Sequence, residues 1–158
     1  MTSSKPTKRL TKISVQRQGF NFNEQMTDLE QGNVKDGATV TFTGRVRDFN
    51  DDSHVTHLEI EHYPGMTQMC LKNIAEQARK RWSLGHIVII HRYGKLALGD
   101  NIVFVGVTSM HRKSAFMATE FIMDYLKTKA PFWKKEGTKQ GERWVEAKQS
   151  DQQEAHKW

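Results

Sequence analysis

Lys127 and Lys134 stand seven positions apart around Ala130-Pro131-Phe132-Trp133, with Lys135 and Glu136 directly after. Pro131 lacks an N–H and disfavours helical geometry at Ala130, so a helix arriving from the N-terminal side ends there. Phe132 and Trp133 are too large to be left in water without reason, so the bend that carries them is an ordered, apolar one. Cations therefore flank it on both sides. In a partly desolvated pocket the charged form of a lysine is disfavoured and its pKa falls below the usual ~10.4. A lysine at a helix end is ordinarily just solvated. It is the pair around one bend that points to amine chemistry.

Two further cationic groups stand apart from this bend. Arg45 and Arg47 alternate with apolar residues, which places both on one face of a strand. Their guanidinium forks suit bidentate contact with a phosphate, although a solvated sheet face gives the same pattern. His111-Arg112 opens a helix directly after a strand, where free backbone N–H groups favour an anion. A surface arginine beside a histidine that caps the helix is the plainer account of that pair. Cys70 falls in an apolar helical stripe and is read as buried and inert. His57 and His62 point to opposite faces of a strand and cannot easily share an ion with His54, so no metal is expected.

The elements that must position these residues follow from periodicity. Val40, Phe42, Gly44 and Val46 alternate with Thr39, Thr41, Thr43, Arg45 and Arg47, predicting a half-buried strand over 38–47. A second strand over 55–63 ends at the turn signal Tyr63-Pro64-Gly65. Met66, Met69, Cys70, Ile74 and Ala78 recur at helical spacing over 66–82 as a buried stripe. Residues 86–93 and 101–109 read as strands, with 94–100 as a hairpin connection or small excursion. A second amphipathic helix covers about 112–129, with Phe116, Phe121, Ile122, Tyr125 and Leu126 facing inward. A short strand around 143–147 follows. The expected fold class is α+β, a mainly antiparallel sheet with two principal helices. Residues 1–12 form a basic, flexible arm, 13–148 one catalytic domain, and 149–158 a polar tail that frays unless Trp158 anchors it.

Composition bounds the function classes. At 158 residues, with 37% apolar and 27% charged, the chain supports one modest core and not wholesale disorder. No apolar run approaches the roughly 20 residues that span a bilayer. The basic start, with Lys5, Lys8, Arg9 and Lys12, is followed by no apolar stretch and is not a secretory signal. The expected compartment is the cytoplasm, and the single cysteine forms no intrachain disulfide. A net charge of +6 favours anionic partners without choosing among them.

Several motifs together are more specific. They are Gly44-Arg45-Val46-Arg47, Leu58-Glu59-Ile60-Glu61-His62-Tyr63, His91-Arg92-Tyr93-Gly94, and Leu98-Gly99-Asp100. Ser109 to Phe116, Leu126-Lys127, Pro131 to Glu136 and Gly141 to Val145 complete the series. In this order, over roughly residues 38–148, the chain resembles the family of large, catalytic subunits of molybdopterin synthase. Local departures are Asp51-Asp52-Ser53, where family members often carry a glycine, and Phe132, where many have isoleucine.

The resemblance implies a hammerhead-like α/β architecture and a sulfurtransferase without a cofactor. Its reaction converts cyclic pyranopterin monophosphate into molybdopterin, with two dithiolene sulfurs supplied by the C-terminal thiocarboxylate of a small ubiquitin-like partner. It implies a central homodimer within a heterotetramer. It also assigns Arg45, Val46, Arg47, His111, Arg112, Lys127, Lys134, Lys135 and Glu136 to the substrate pocket, with Lys127 and Lys134 catalytic. Lys127 is expected closest to the thiocarboxylate, orienting it and moving protons, and Lys134 to stabilise charge on the pterin. Two other readings compete: a basic nucleic-acid-binding module stacking bases on Phe132 and Trp133, and a non-catalytic scaffold of the same fold.

Overall fold

The computed structural model describes residues 8–51, 53–145 and 149–158. Two sheets share one core. The first has the order β1-β5-β7-β2, from β1 (Thr11–Gln16), β5 (Ile87–Arg92), β7 (Asn101–Ser109) and β2 (Ala38–Arg45). β1 runs parallel to β5, and the other pairings in this sheet are antiparallel. The second sheet joins β3 (Phe49–Asn50), β4 (Ser53–His62), β8 (Phe132–Thr138) and β9 (Gly141–Val145), with β6 (Gly94–Ala97) also on β4. The mainly antiparallel α+β expectation holds, and the 94–100 excursion is a paired strand.

The run Ile87-Val88-Ile89-Ile90 is buried throughout because its sheet is covered on both faces. On one face α1 (Phe22–Glu30) packs Leu29 against Val88, Ile90 and Phe104. On the other, α2 (Met66–Arg81) and α3 (Arg112–Thr128) bring Leu71, Ile74, Phe121 and Ile122 against Ile87, Ile89, Val105 and Val107. Leu58, Ile60 and Leu96 of the second sheet close the same cluster.

Four local expectations need correction. The stripe of α2 is Thr67, Leu71, Ile74, Ala75 and Ala78, while Met66 and Met69 are 60% and 71% exposed. Thr67 takes the inward position at the first turn because its hydroxyl donates to the Tyr63 carbonyl. Cys70 is half-buried, and its Sγ donates to the Lys129 carbonyl. Phe116 is 60% exposed, since Ala115, Ala118 and Thr119 carry the buried face of α3 there. β1 begins at Thr11, inside the predicted arm, and docks through Ile13 and Val15.

In the tail it is the anchoring by Trp158, not the fraying, that the structure shows. Residues Gln149–His156 form α4, and Trp158 meets Trp82 and Phe121 edge-on at 5.5 and 5.7 Å. Its indole N–H donates to Asp124 at 2.6 Å. One half-buried aromatic with a satisfied polar tip holds a helix that its own sequence scarcely favours. The predicted strand end at Ala147 lies outside the described residues.

Candidate active site

A cleft of about 340 Å³ opens where the two sheets and α3 meet. α3 ends at Thr128, where the Lys129 N–H donates to the Tyr125 carbonyl, and the chain turns through Pro131 straight into β8. Lys127, in the last turn of α3, reaches the cleft from one side. Strand alternation along β8 sends Phe132, Lys134 and Glu136 to the cleft from the other. The bend that brackets the two lysines is thus a helix-to-strand corner.

Arg45, Val46 and Arg47 line the same cleft, but not as one strand face. The register of β2 shifts between Gly44 and Arg45, and the strand ends there. Val46 is held instead by backbone bonds to Asp100 and Gly99, which turns Arg47 into the loop that leads to β3. Arg45 Nε donates to the Gly99 carbonyl at 3.3 Å.

Glu136 is 5% exposed and fully engaged. Asn50 donates to one oxygen, and the Arg143 guanidinium donates twice to the other at 3.0 and 3.1 Å. The carboxylate therefore ties β3, β8 and β9 into a rigid wall.

Lys134 is the electrostatic centre of the cleft. Burial, then the Lys127 ammonium, lower its pKa from 10.5 to about 8, against a smaller opposing pull from Asp151 and Glu136. A group near 8 exchanges its proton readily at neutral pH. The cleft can thus place a proton-labile amine beside a second lysine and two guanidinium groups, which suits an anionic substrate that gains charge during reaction.

Three predicted residues lie elsewhere. Lys135 points to the opposite face of β8, 4.9 Å above the Trp144 ring and 3.4 Å from Glu142, because neighbouring strand residues alternate. His111 and Arg112 begin α3, while Lys127 ends it. At 1.5 Å per residue that separates them by about 23 Å within one chain. His111 caps the helix without a side-chain hydrogen bond, and both residues are exposed.

Among the described residues Glu120, Asp124 and Glu154 converge at metal-like spacing. Lys157 already pairs with Glu120 and Glu154, and the Trp158 indole takes Asp124, so the carboxylates are satisfied without an ion.

A family model described as "MoaE protein" matches residues 15–129. The chain belongs to the MoaE family. A molybdopterin synthase catalytic subunit from Escherichia coli K12 is 57% identical over 148 residues, covering 94% of this chain and 98% of that protein. A MoaE protein structure from Burkholderia ambifaria superposes with TM-score 0.80 at 44% identity, covering 94% of this chain and 98% of that one. A molybdopterin synthase structure from Staphylococcus aureus gives 0.78 at 30% identity, over 84% and 96% of the two chains.

In this MoaE-family chain the fold adds wall residues that sequence reading passed over. Phe42 and Phe49 rim the cleft as exposed aromatics, and Met123, His91 and Asp151 are among the residues that line it. Phe42 carries a weak signal, since it sits on the same alternating strand as Arg45. Asp151 carries none, because only the docking of α4 brings it near Lys134.

Proposed function

We propose that this chain is the catalytic subunit of a molybdopterin synthase. It moves sulfur from the C-terminal thiocarboxylate of a small ubiquitin-like partner onto cyclic pyranopterin monophosphate, forming the dithiolene of molybdopterin in the cytoplasm. The observation that carries this reading is the convergence of Lys127 and Lys134, with Arg45 and Arg47, on one cleft. The names of the relatives agree with it, and "catalytic subunit" implies a further subunit.

Arg45 and Arg47 match the substrate phosphate. The thiocarboxylate sulfur is the nucleophile, so negative charge grows on the pterin side as the C–S bond forms. Lys127, at the exposed mouth, orients the thiocarboxylate. Lys134, with a pKa near 8, both stabilises that charge and moves the proton, a duty that sequence reading gave to Lys127. Glu136 holds its wall and Lys135 braces β9 from behind. His111 and Arg112, too far from their own chain's cleft, serve the cleft of a second copy in the central homodimer.

The test mixes the purified chain with thiocarboxylated partner and the cyclic pterin, followed by mass spectrometry. The expected product has gained two sulfurs. Partner binding without any sulfur gain defeats the assignment and leaves the scaffold reading. Salt-sensitive retention of random oligonucleotides in place of turnover favours the nucleic-acid module.

A further inference from the structure

β9 reaches the cleft through Val145, and the two-residue period of the strand turns Arg143 to the same side. There Arg143 stands directly opposite Glu136 of β8. Its guanidinium donates to three residues. Nε and Nη2 reach one Glu136 oxygen at 3.1 and 3.0 Å. Nη2 also reaches the Asn50 carbonyl at 2.7 Å, and Nη1 the Ser53 hydroxyl at 3.3 Å. The Asn50 side-chain amide donates to the other Glu136 oxygen and closes the network.

Asn50 and Ser53 pair at the end of the β3–β4 hairpin, and that end has little of its own to hold it. β3 is two residues long, and Asp51 turns with φ 49°, in the left-handed region that costs a residue with a Cβ. A two-stranded hairpin is marginal in water even at greater length. β4 continues into the larger sheet, so β3 is the strand free to lift. The segment that leads into β3 carries Arg47, and β3 itself carries Phe49, both of which line the cleft. Backbone bonds at Val46 and Asp48 anchor the start of this segment, and the Arg143–Glu136 pair fastens its end.

We propose that Arg143 is a positioning residue of the cleft: its guanidinium fork clamps the β3 hairpin to the buried Glu136 carboxylate and so holds the segment bearing Arg47 in place for the substrate's phosphate. The inference rests on the sulfur-transfer reading for the identity of that substrate, and on the contacts alone for the clamp. Glu136 is 5% exposed and needs a cation whatever the hairpin does. A lysine could supply that charge. It could not supply the planar fork that reaches β8 and both strands of the hairpin at once.

Arg143→Lys therefore separates the two duties, since it keeps a cation beside Glu136 and removes the fork. Arg143→Met removes both, and Asn50→Ala removes only the amide that ties the hairpin to Glu136. The first readout is 15N relaxation of the Phe49 backbone amide in the folded chain alone. Its order parameter should fall from about 0.85 in wild type to below about 0.6 in both Arg143 variants, with a smaller fall in Asn50→Ala. The second readout is turnover with thiocarboxylated partner. In Arg143→Lys, KM for the cyclic pterin should rise about tenfold, as expected when roughly one phosphate contact is misplaced, with kcat within about twofold of wild type.

An unchanged order parameter in Arg143→Lys overturns the clamp. So does an unchanged KM in that variant, which would leave Arg143 as a counter-charge to Glu136 alone. If Arg143→Met does not fold, Arg143→Lys and Asn50→Ala carry both readouts. A hairpin that is rigid in wild type and loosens as expected, in a chain without any turnover, overturns the sulfur-transfer reading instead and leaves the clamp standing.

Discussion

Lys134→Met removes a charge from the cleft and keeps the length of the side chain. The protonated lysine is disfavoured in the fold, its pKa falling from 10.5 to about 8, a drop of about 2.5. The sign follows from proton counting. Between those two values the unfolded chain holds the proton and the folded chain has released it, so stability rises with pH across that window. Below about pH 8 both states are protonated and the full penalty is present. At 1.36 kcal/mol per pH unit the penalty is about 3 kcal/mol, and water at the cleft mouth screens it to about 1–3 kcal/mol. Lys134→Met should therefore melt about 2–10 °C higher than wild type at pH 7. The gain should shrink at pH 9 and vanish above pH 10.5. Scanning calorimetry at these pH values measures it, and the same variant should lose turnover. A melting point at or below wild type at pH 7, or a gain independent of pH, would refute the claim that this lysine is held under electrostatic strain.

Arg47→Ala should weaken pterin binding by about 1.5–3 kcal/mol, roughly 10- to 150-fold, as one charge-assisted hydrogen-bonded contact is lost. Calorimetric titration reads this, and an unchanged Kd would assign Arg47 to loop structure. Lys134→Ala and Arg112→Ala, each inactive alone, should regain about a quarter of wild-type activity when the two chains are unfolded together and refolded one to one. Half the dimers are then mixed, and each mixed dimer holds one intact site if Arg112 acts across the interface. No recovery would place Arg112 outside the chemistry of the second cleft. Trp158→Ala should cost about 2 kcal/mol through lost packing on Trp82 and Phe121 and the broken bond to Asp124. Because Asp151 raises the Lys134 pKa, release of α4 should also lower that titration, and an unmoved value would show α4 still docked.

The helix stop at Pro131 and the pairing of Lys127 with Lys134 were legible because both rest on local rules, the missing proline N–H and the approach of two strands of chain to one corner. Reading Lys134-Lys135-Glu136 as one block failed for an equally local reason. The stretch is a strand, and its two-residue period sends Lys135 to Trp144 on the far face. The α2 stripe was misphased toward Met66 and Met69 by their hydrophobicity, whereas the side chain–backbone bond of Thr67 makes a polar residue the better inward choice. β1 and α1 went unread because Thr11–Gln16 offers only Ile13 and Val15 as an apolar pair, and α1 buries only Gln25 and Leu29. The separation of His111 and Arg112 from the cleft is a helix-length effect that motif order does not encode.

The proton affinity of Lys134 belongs to no single motif. Burial by the corner and repulsion from Lys127 lower it, while Glu136 from the same strand and Asp151 from the tail helix raise it. The lowering groups are fixed by α3 and β8, which also build the core, so they are present whenever the chain is folded. Asp151 depends on α4, which is held to α3 by Trp158 and by the Lys157 pair to Glu120. The tail therefore contributes to the cleft through charge and not only through shape. A deletion that spares every residue of the motifs should still move the pH at which the amine gives up its proton.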